Sequence, residues 1–133
     1  MTSDGTSDVV TVAADGDVEQ LLRRAVAHVE EHGLEVFAVV DHSGEAEEAG
    51  LSMPTTKLVL FGSTPSATRL MLAHPDIALD LPLKLLISED SDGQSVIRYQ
   101  APGRLAQRHG LTTDEADEVQ IVEAIAIATR SNP

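Results

Sequence analysis

KLVLFGSTPSATRLMLAHPDIALDLPLK, residues 57–84, is the stretch on which the fold turns. Leu58, Val59, Leu60 and Phe61 make a short run that is apolar on both faces, as in a strand covered on two sides. Gly62 then frees the backbone, Ser63 or Thr64 can cap a helix, and Pro65 suits the first helical position, where its missing N–H leaves no bond unmade. Leu70, Met71 and Leu72 carry the helix on to His74-Pro75, which ends it because the residue before a proline is pushed out of the helical region. A further turn over 77–79 and an elbow at Asp80-Leu81-Pro82 deliver the chain into a strand at 85–87, with Lys84 at its mouth. Two elbows beside strand ends make a natural place for a ligand, since polar groups converge there on a rigid sheet.

Working outward, residues 34–40 (LEVFAVV) are apolar on both faces apart from Glu35 and predict a central strand. It stops at Asp41-His42, followed by a short helical stretch over 45–49. Further upstream, Asp17 is a good N-cap for Val18, Leu21, Leu22, Ala25, Val26 and Val29 at helical spacing, and residues 9–12 read as an edge strand. Downstream, the polar turn 89–93 joins two hairpin strands, a short helix spans 104–109, and Thr112 with Glu115 has capping-box spacing. The last helix, 116–128, is apolar over more than one stripe, through Val119, Ile121, Val122, Ala124, Ile125, Ala126 and Ile127. One buried face is all a monomer needs, so the spare stripe predicts a homodimer through this helix.

Composition narrows the partners. Asp and Glu number 22 against 9 Lys and Arg, and a net charge of −13 opposes any partner bound by neutralising phosphates, so nucleic acid is not expected. The acidic residues are scattered, a coat that suits concentrated salt, where self-repulsion is screened; a halophilic source is one expectation and an ordinary acidic bacterial protein the other. With no Cys there is no disulfide, thiolate metal site or cysteine nucleophile. Phe37, Phe61 and Tyr99 are the whole aromatic set, which leaves an aliphatic core. No apolar run approaches the roughly 20 residues of a membrane span. The opening MTSDGTSDVV lacks the basic-then-apolar pattern of a signal peptide, so no membrane association and a cytoplasmic location are expected. Residues 1–8 are expected to form a flexible acidic leader and 9–130 a single domain.

Several residues have chemistry to offer. His42 beside Asp41 at a strand end suits a general base, a relay or a ligand, because imidazole titrates near neutral pH. The alternative is that Asp41 caps the next helix. Phe61, Gly62, Ser63, Thr64 and Thr68 surround a helix start that favours a polar ligand end, although no Gly-rich loop or P-loop Lys accompanies it. Asp80 and Lys84 either pair with each other or face a ligand from two sides, with Tyr99 nearby. No metal site is expected: His28 and His32 lack a third ligand at metal spacing, and the acidic turn 89–93 lacks the remaining ligands of an EF-hand.

Taken in order, Phe37-Ala38-Val39-Val40-Asp41-His42, Ala49-Gly50-Leu51, Pro54, Leu60-Phe61-Gly62, Pro65 with Thr68, Leu70-Met71, Asp80-Leu81-Pro82-Leu83-Lys84, Tyr99 and Leu105-Ala106-Gln107-Arg108-His109-Gly110 carry a resemblance. Over residues 9–128 the chain resembles the domain-of-unknown-function 302 family. It departs from the family pattern where Ser63-Thr64 replaces an Asn and Ala67 a Gly. The resemblance implies a two-layer α+β domain, a twisted four- to five-stranded mixed sheet with helices packed against it, commonly self-associating. It implies no known activity or cofactor.

Three functions remain open at this point. The first is a non-enzymatic small-ligand-binding or sensing protein with a pocket where the Asp41-His42 and Gly62–Pro65 turns meet. The second is an enzyme using His42 as general acid/base, Asp41 as orienter and Lys84 as electrostatic stabiliser. Third is a metal- or haem-binding, redox-related protein with His42 and either Met71 or His74 as ligands.

Overall fold

The computed structural model describes residues 7–131, so most of the acidic leader expected over 1–8 lies outside the described residues. The elements run β1 (Val9–Ala13), α1 (Val18–Glu31), β2 (Glu35–Asp41), α2 (His42–Glu48), β3 (Thr56–Gly62), α3 (Thr64–Ala73), a 3-10 turn (Pro75–Leu79), β4 (Leu83–Glu89), β5 (Ser95–Gln100), α4 (Pro102–His109) and α5 (Thr113–Arg130). Several boundaries are written in local chemistry. Asp17 and Thr112 close capping boxes with Gln20 and Glu115, and Ser63 accepts from the Ser66 N–H with Pro65 in the first turn. Gly110 ends α4 in the left-handed region, at φ 65, where a Cβ is disfavoured.

The five strands form one sheet in the order β1-β5-β4-β3-β2. Every neighbouring pair is antiparallel, so the sheet is not mixed. The physical reason lies in residues 57–84: α3 packs chiefly on the 3-10 turn that follows it instead of crossing the sheet, so the chain re-enters beside the strand it left and runs back. β2 also differs from expectation, because it lies at an edge. Phe37 and Val39 are 44% and 41% exposed there, and a register shift between Val36 and Ala38 breaks the ladder. Its apolar composition comes from lining a groove and half-covering an edge, not from central pairing.

Helices α1 and α5 cover one face of the sheet, and α4 packs on α5, giving the two layers expected. Between the layers lie Leu21, Ala25 and Val29 of α1, Val59, Phe61, Leu85, Ile87 and Ile97 of the strands, and Val119, Val122 and Ile125 of α5. All are at most 3% exposed. Strand alternation turns the residues between them outward: Leu58 and Leu60, Lys84 and Leu86, and Arg98 occupy the opposite face and stay partly exposed. α5 also buries Ala126 and Thr129, leaving Ile127 as its large outward apolar residue.

Candidate functional site

Antiparallel pairing separates the two turns that sequence spacing had brought together. Asp41 pairs with Lys57 at one end of the β2–β3 ladder, whereas Gly62 pairs with Glu35 at the other. Both strands have 7 residues, so the turns lie about 20 Å apart, at about 3.4 Å per residue. Two separate grooves result.

The Asp41 groove, about 400 Å³, is lined by Glu19, Asp41, Ser43, Glu47, Met53 and Lys57, among others. Asp41, Ser43 and Lys57 are already engaged with neighbouring groups. Asp41 Oδ1 accepts from the Gly44 N–H at 2.9 Å and the Ser43 hydroxyl at 2.8 Å, and these bonds hold the carboxyl below its ordinary range. Asp41 is thus the N-cap of α2. A Cβ on Gly44 would fall 2.6 Å from Asp41 Oδ2, so a side chain there displaces the cap. Lys57 binds Glu19 and stands 4.0 Å from Asp41. His42 is exposed, does not line the groove and makes no hydrogen bond among the described residues. No positioned base follows from Asp41 and His42.

At the other end, Phe37, Thr64, Ala67, Thr68, Met71, Leu81 and Pro82 enclose a groove of about 350 Å³. Gly62, Ser63, Leu70 and Val119 extend its floor towards α5, above the fully buried Phe61. The bulge on β2 supplies one wall. It directs the Phe37 ring against Gly62, where a built Cβ would meet Phe37 Cε2 at 3.6 Å. α3 supplies the second wall and Leu81-Pro82, joined by a cis peptide, the third. The hydroxyls expected to meet a ligand are partly spent on the helix: Ser63 Oγ accepts from Ser66 N, and Thr68 Oγ1 donates to the Thr64 carbonyl at 2.7 Å. What remains open is mostly apolar.

The turn behind Leu81-Pro82 is pinned from two sides. Asp80 Oδ2 accepts from His109 Nε2 at 2.6 Å and from Arg108 Nη1 at 3.1 Å. Burial opposes the Asp80 carboxylate, but the His109 and Arg108 hydrogen bonds outweigh it and hold its pKa below the usual value. Lys84 does not pair with the Asp80 carboxylate. Its ammonium donates to the carbonyls of Asp80 at 3.0 Å and Pro82 at 2.9 Å, and burial lowers its pKa, offset in part by the Asp80 charge. Tyr99 lies in the core beneath α5, its pKa raised by burial and then by Glu123. It is not part of the α3 groove.

The metal or haem ligand set does not converge either. His74 Nε2 binds Glu115 Oε1 at 2.9 Å beside the α5 cap, at the sheet end away from His42. Among the described residues no group of three or more His, Asp or Glu is placed to hold a metal ion.

A family profile described as a domain of unknown function, DUF302, matches residues 10–128. The chain belongs to the DUF302 family. A crystal structure of an uncharacterised conserved DUF302 protein from Bacillus stearothermophilus aligns with a TM-score of 0.78 over 94% of this chain and 97% of that one; at 16% identity this likeness shows the fold. Among curated proteins, fluoride-specific ion channels of Brucella suis and Brucella abortus are 38% identical over 117 residues, 86% of this chain. The DUF302 chain spans 46% and 43% of their lengths, less than half of each. No helix among the described residues is long and apolar enough to cross a membrane.

Groove residues missed by sequence reasoning are Phe37 and Ala67, which read as strand and helix, whereas Met71 was considered only as a metal or haem ligand and Leu81-Pro82 only as part of an elbow. The Ala67 departure and the recurrence of Leu81-Pro82 in the family pattern are the signals that pointed to them. Nothing local marks the bulge that turns Phe37 outward.

Proposed function

We propose that this DUF302 domain is a non-enzymatic binding or sensing module whose ligand is a small, largely apolar molecule held in the α3 groove. One observation carries the reading: the groove is mostly apolar, and its Leu81-Pro82 wall is fastened from behind through Asp80 and Lys84. Preformed apolar concavity with few polar groups is the usual character of small-molecule sites. Catalysis has less support, because the imidazole proposed for it stands outside either groove.

The curated relatives suggest a setting. In it the domain accompanies a fluoride-specific ion channel and reports a ligand to it. Self-association through α5 would rest on Ile127, 48% exposed, and light scattering at micromolar concentration tests it.

A thermal-shift and methyl-NMR screen of small apolar metabolites tests the main reading. Ligands are expected to raise the melting temperature and to move Met71 and Leu81 signals. Ala67→Phe, which fills the groove, abolishes the effect, and His42→Ala leaves it intact. Loss of binding in His42→Ala with binding retained in Ala67→Phe overturns the assignment.

A further inference from the structure

The sheet face turned away from the helices has a charge pattern opposite to the rest of the chain. Strand alternation and register fix its composition: Val9, Thr11 and Ala13 on β1, Val96, Arg98 and Gln100 on β5, Lys84, Leu86 and Ser88 on β4, and Thr56, Leu58 and Leu60 on β3. In a chain of 22 acidic residues, these four strands place two cations there and no carboxylate, and the fifth strand, β2, adds one, Glu35, at the edge opposite Gly62. Arg98 stands between Thr11 and Leu86, and Lys84 beside Leu60.

Among the described residues neither cation forms an ion pair with a carboxylate, although the Asp80 charge acts on Lys84. Lys57, Arg69, Arg104 and Arg108 each reach a carboxylate. Arg98 instead donates to the Ser88 hydroxyl at 3.1 Å, and Lys84 to two backbone carbonyls. A guanidinium has five N–H donors and an ammonium three, so both keep donors to spare. Beside them lies a cleft of about 250 Å³ bordered by Leu58, Leu86, Lys84, Arg98 and Gln100.

We propose that this face binds a small carboxylate with an apolar chain, its head on Arg98 with Lys84 alongside and its chain over Leu58 and Leu86. A planar carboxylate suits the guanidinium fork, and the half-desolvated cations make the charge-assisted bond stronger than one in open water. The cleft falls below the roughly 300–1,000 Å³ typical of drug-sized ligands, which fits a small occupant. A second copy fits badly, because symmetric contact would set four cations against only two carboxylates, the Glu35 side chains at the β2 edges. An anionic bilayer is opposed by the net charge of −13. The cleft shares no lining residue with the α3 groove, and although Lys84 also holds the Leu81-Pro82 turn, substitutions at Arg98 and Leu58 test this proposal apart from the preceding one.

Octanoate, 1-octanol and a Glu-rich peptide are titrated into the full chain and followed by calorimetry and methyl NMR. Octanoate is expected to shift Leu58 and Leu86 and to bind more tightly than octanol. Arg98→Gln should weaken it about tenfold or more, the size of one lost charge-assisted bond. Leu58→Glu, which sets a carboxylate in the cleft without removing a cation, should abolish binding, with melting curves showing that each variant folds. If Arg98→Gln fails to fold, Leu58→Glu and the octanoate–octanol difference decide. Equal binding of octanoate and octanol, unchanged affinity in the folded variants, or shifts at Phe37 and Met71 in place of Leu58 and Leu86 overturns the proposal. So does a peptide that moves Leu58 and Leu86 where octanoate does not, which would reassign the face to an acidic protein partner.

Discussion

The two ends of the β2–β3 ladder are built from the same pair of strands and have opposite characters. At the Asp41 end, the central polar groups are consumed locally: the carboxylate caps α2, Ser43 bonds both Asp41 and the Thr56 N–H, and Lys57 answers Glu19. At the Gly62 end the polar groups also serve the helix, but a bulge and a fastened turn hold apolar walls apart and leave an open groove. Reactive residue types therefore do not mark the better site here. A side chain whose hydrogen bonds are already made has little left for a ligand, whereas apolar walls that cannot collapse stay available.

Substitutions at the two ends should separate accordingly. Phe61→Ala, beneath the α3 groove, removes a fully buried ring and should cost about 3–5 kcal/mol in chemical denaturation, the largest effect expected. A loss below 1 kcal/mol would mean that the groove floor is not packed as described. Asp80→Ala should cost about 2 kcal/mol, since two charge-assisted bonds go and the solvent at the rim screens part of their worth. It should also broaden the Leu81 NMR signals by loosening that wall. Asp41→Ala should lower the melting temperature by less than Asp80→Ala and leave Leu81 untouched; the reverse ranking would break the comparison.

Acid should strike both ends, with a known sign. Asp80, Asp41 and Glu115 all have folded pKa values below their ordinary values of 3.8, 3.8 and 4.5. Groups of this kind contribute stability that is fully present above the unfolded pKa and is lost as pH falls through the folded one. Stability should thus decline below about pH 4, and less steeply in Asp80→Asn; an unchanged slope would remove Asp80 from the account. The smallest effect concerns the surface as a whole. Added KCl should raise the melting temperature of this −13 chain by screening self-repulsion, and a flat or falling midpoint would refute the expectation of a salt-adapted coat.

Legibility followed the range of the interactions involved. The caps at Asp17, Ser63 and Thr112 and the stop at Gly110 are settled within four residues of chain, and each was readable. The α3 groove was half legible: Gly62, Ser63, Thr64 and Thr68 were named, but Phe37 read as core because a bulge depends on the partner strand. Asp80 and Lys84 were singled out, with pairing and facing a ligand both left open. The acceptor for Lys84 is backbone, and the donors to Asp80 sit 28 and 29 residues away on α4.

By itself, then, the sequence determined the family, the elements, their caps and the acidic surface, because these rest on spacing, turn chemistry and composition. Tertiary structure alone decided that β2 is an edge, that the sheet is wholly antiparallel, that Asp41-His42 and Gly62–Pro65 lie at opposite ends, and that Lys84 and Arg98 share the sheet face turned away from the helices. Strand order and direction are set by which apolar faces can be buried together. No single segment carries that information.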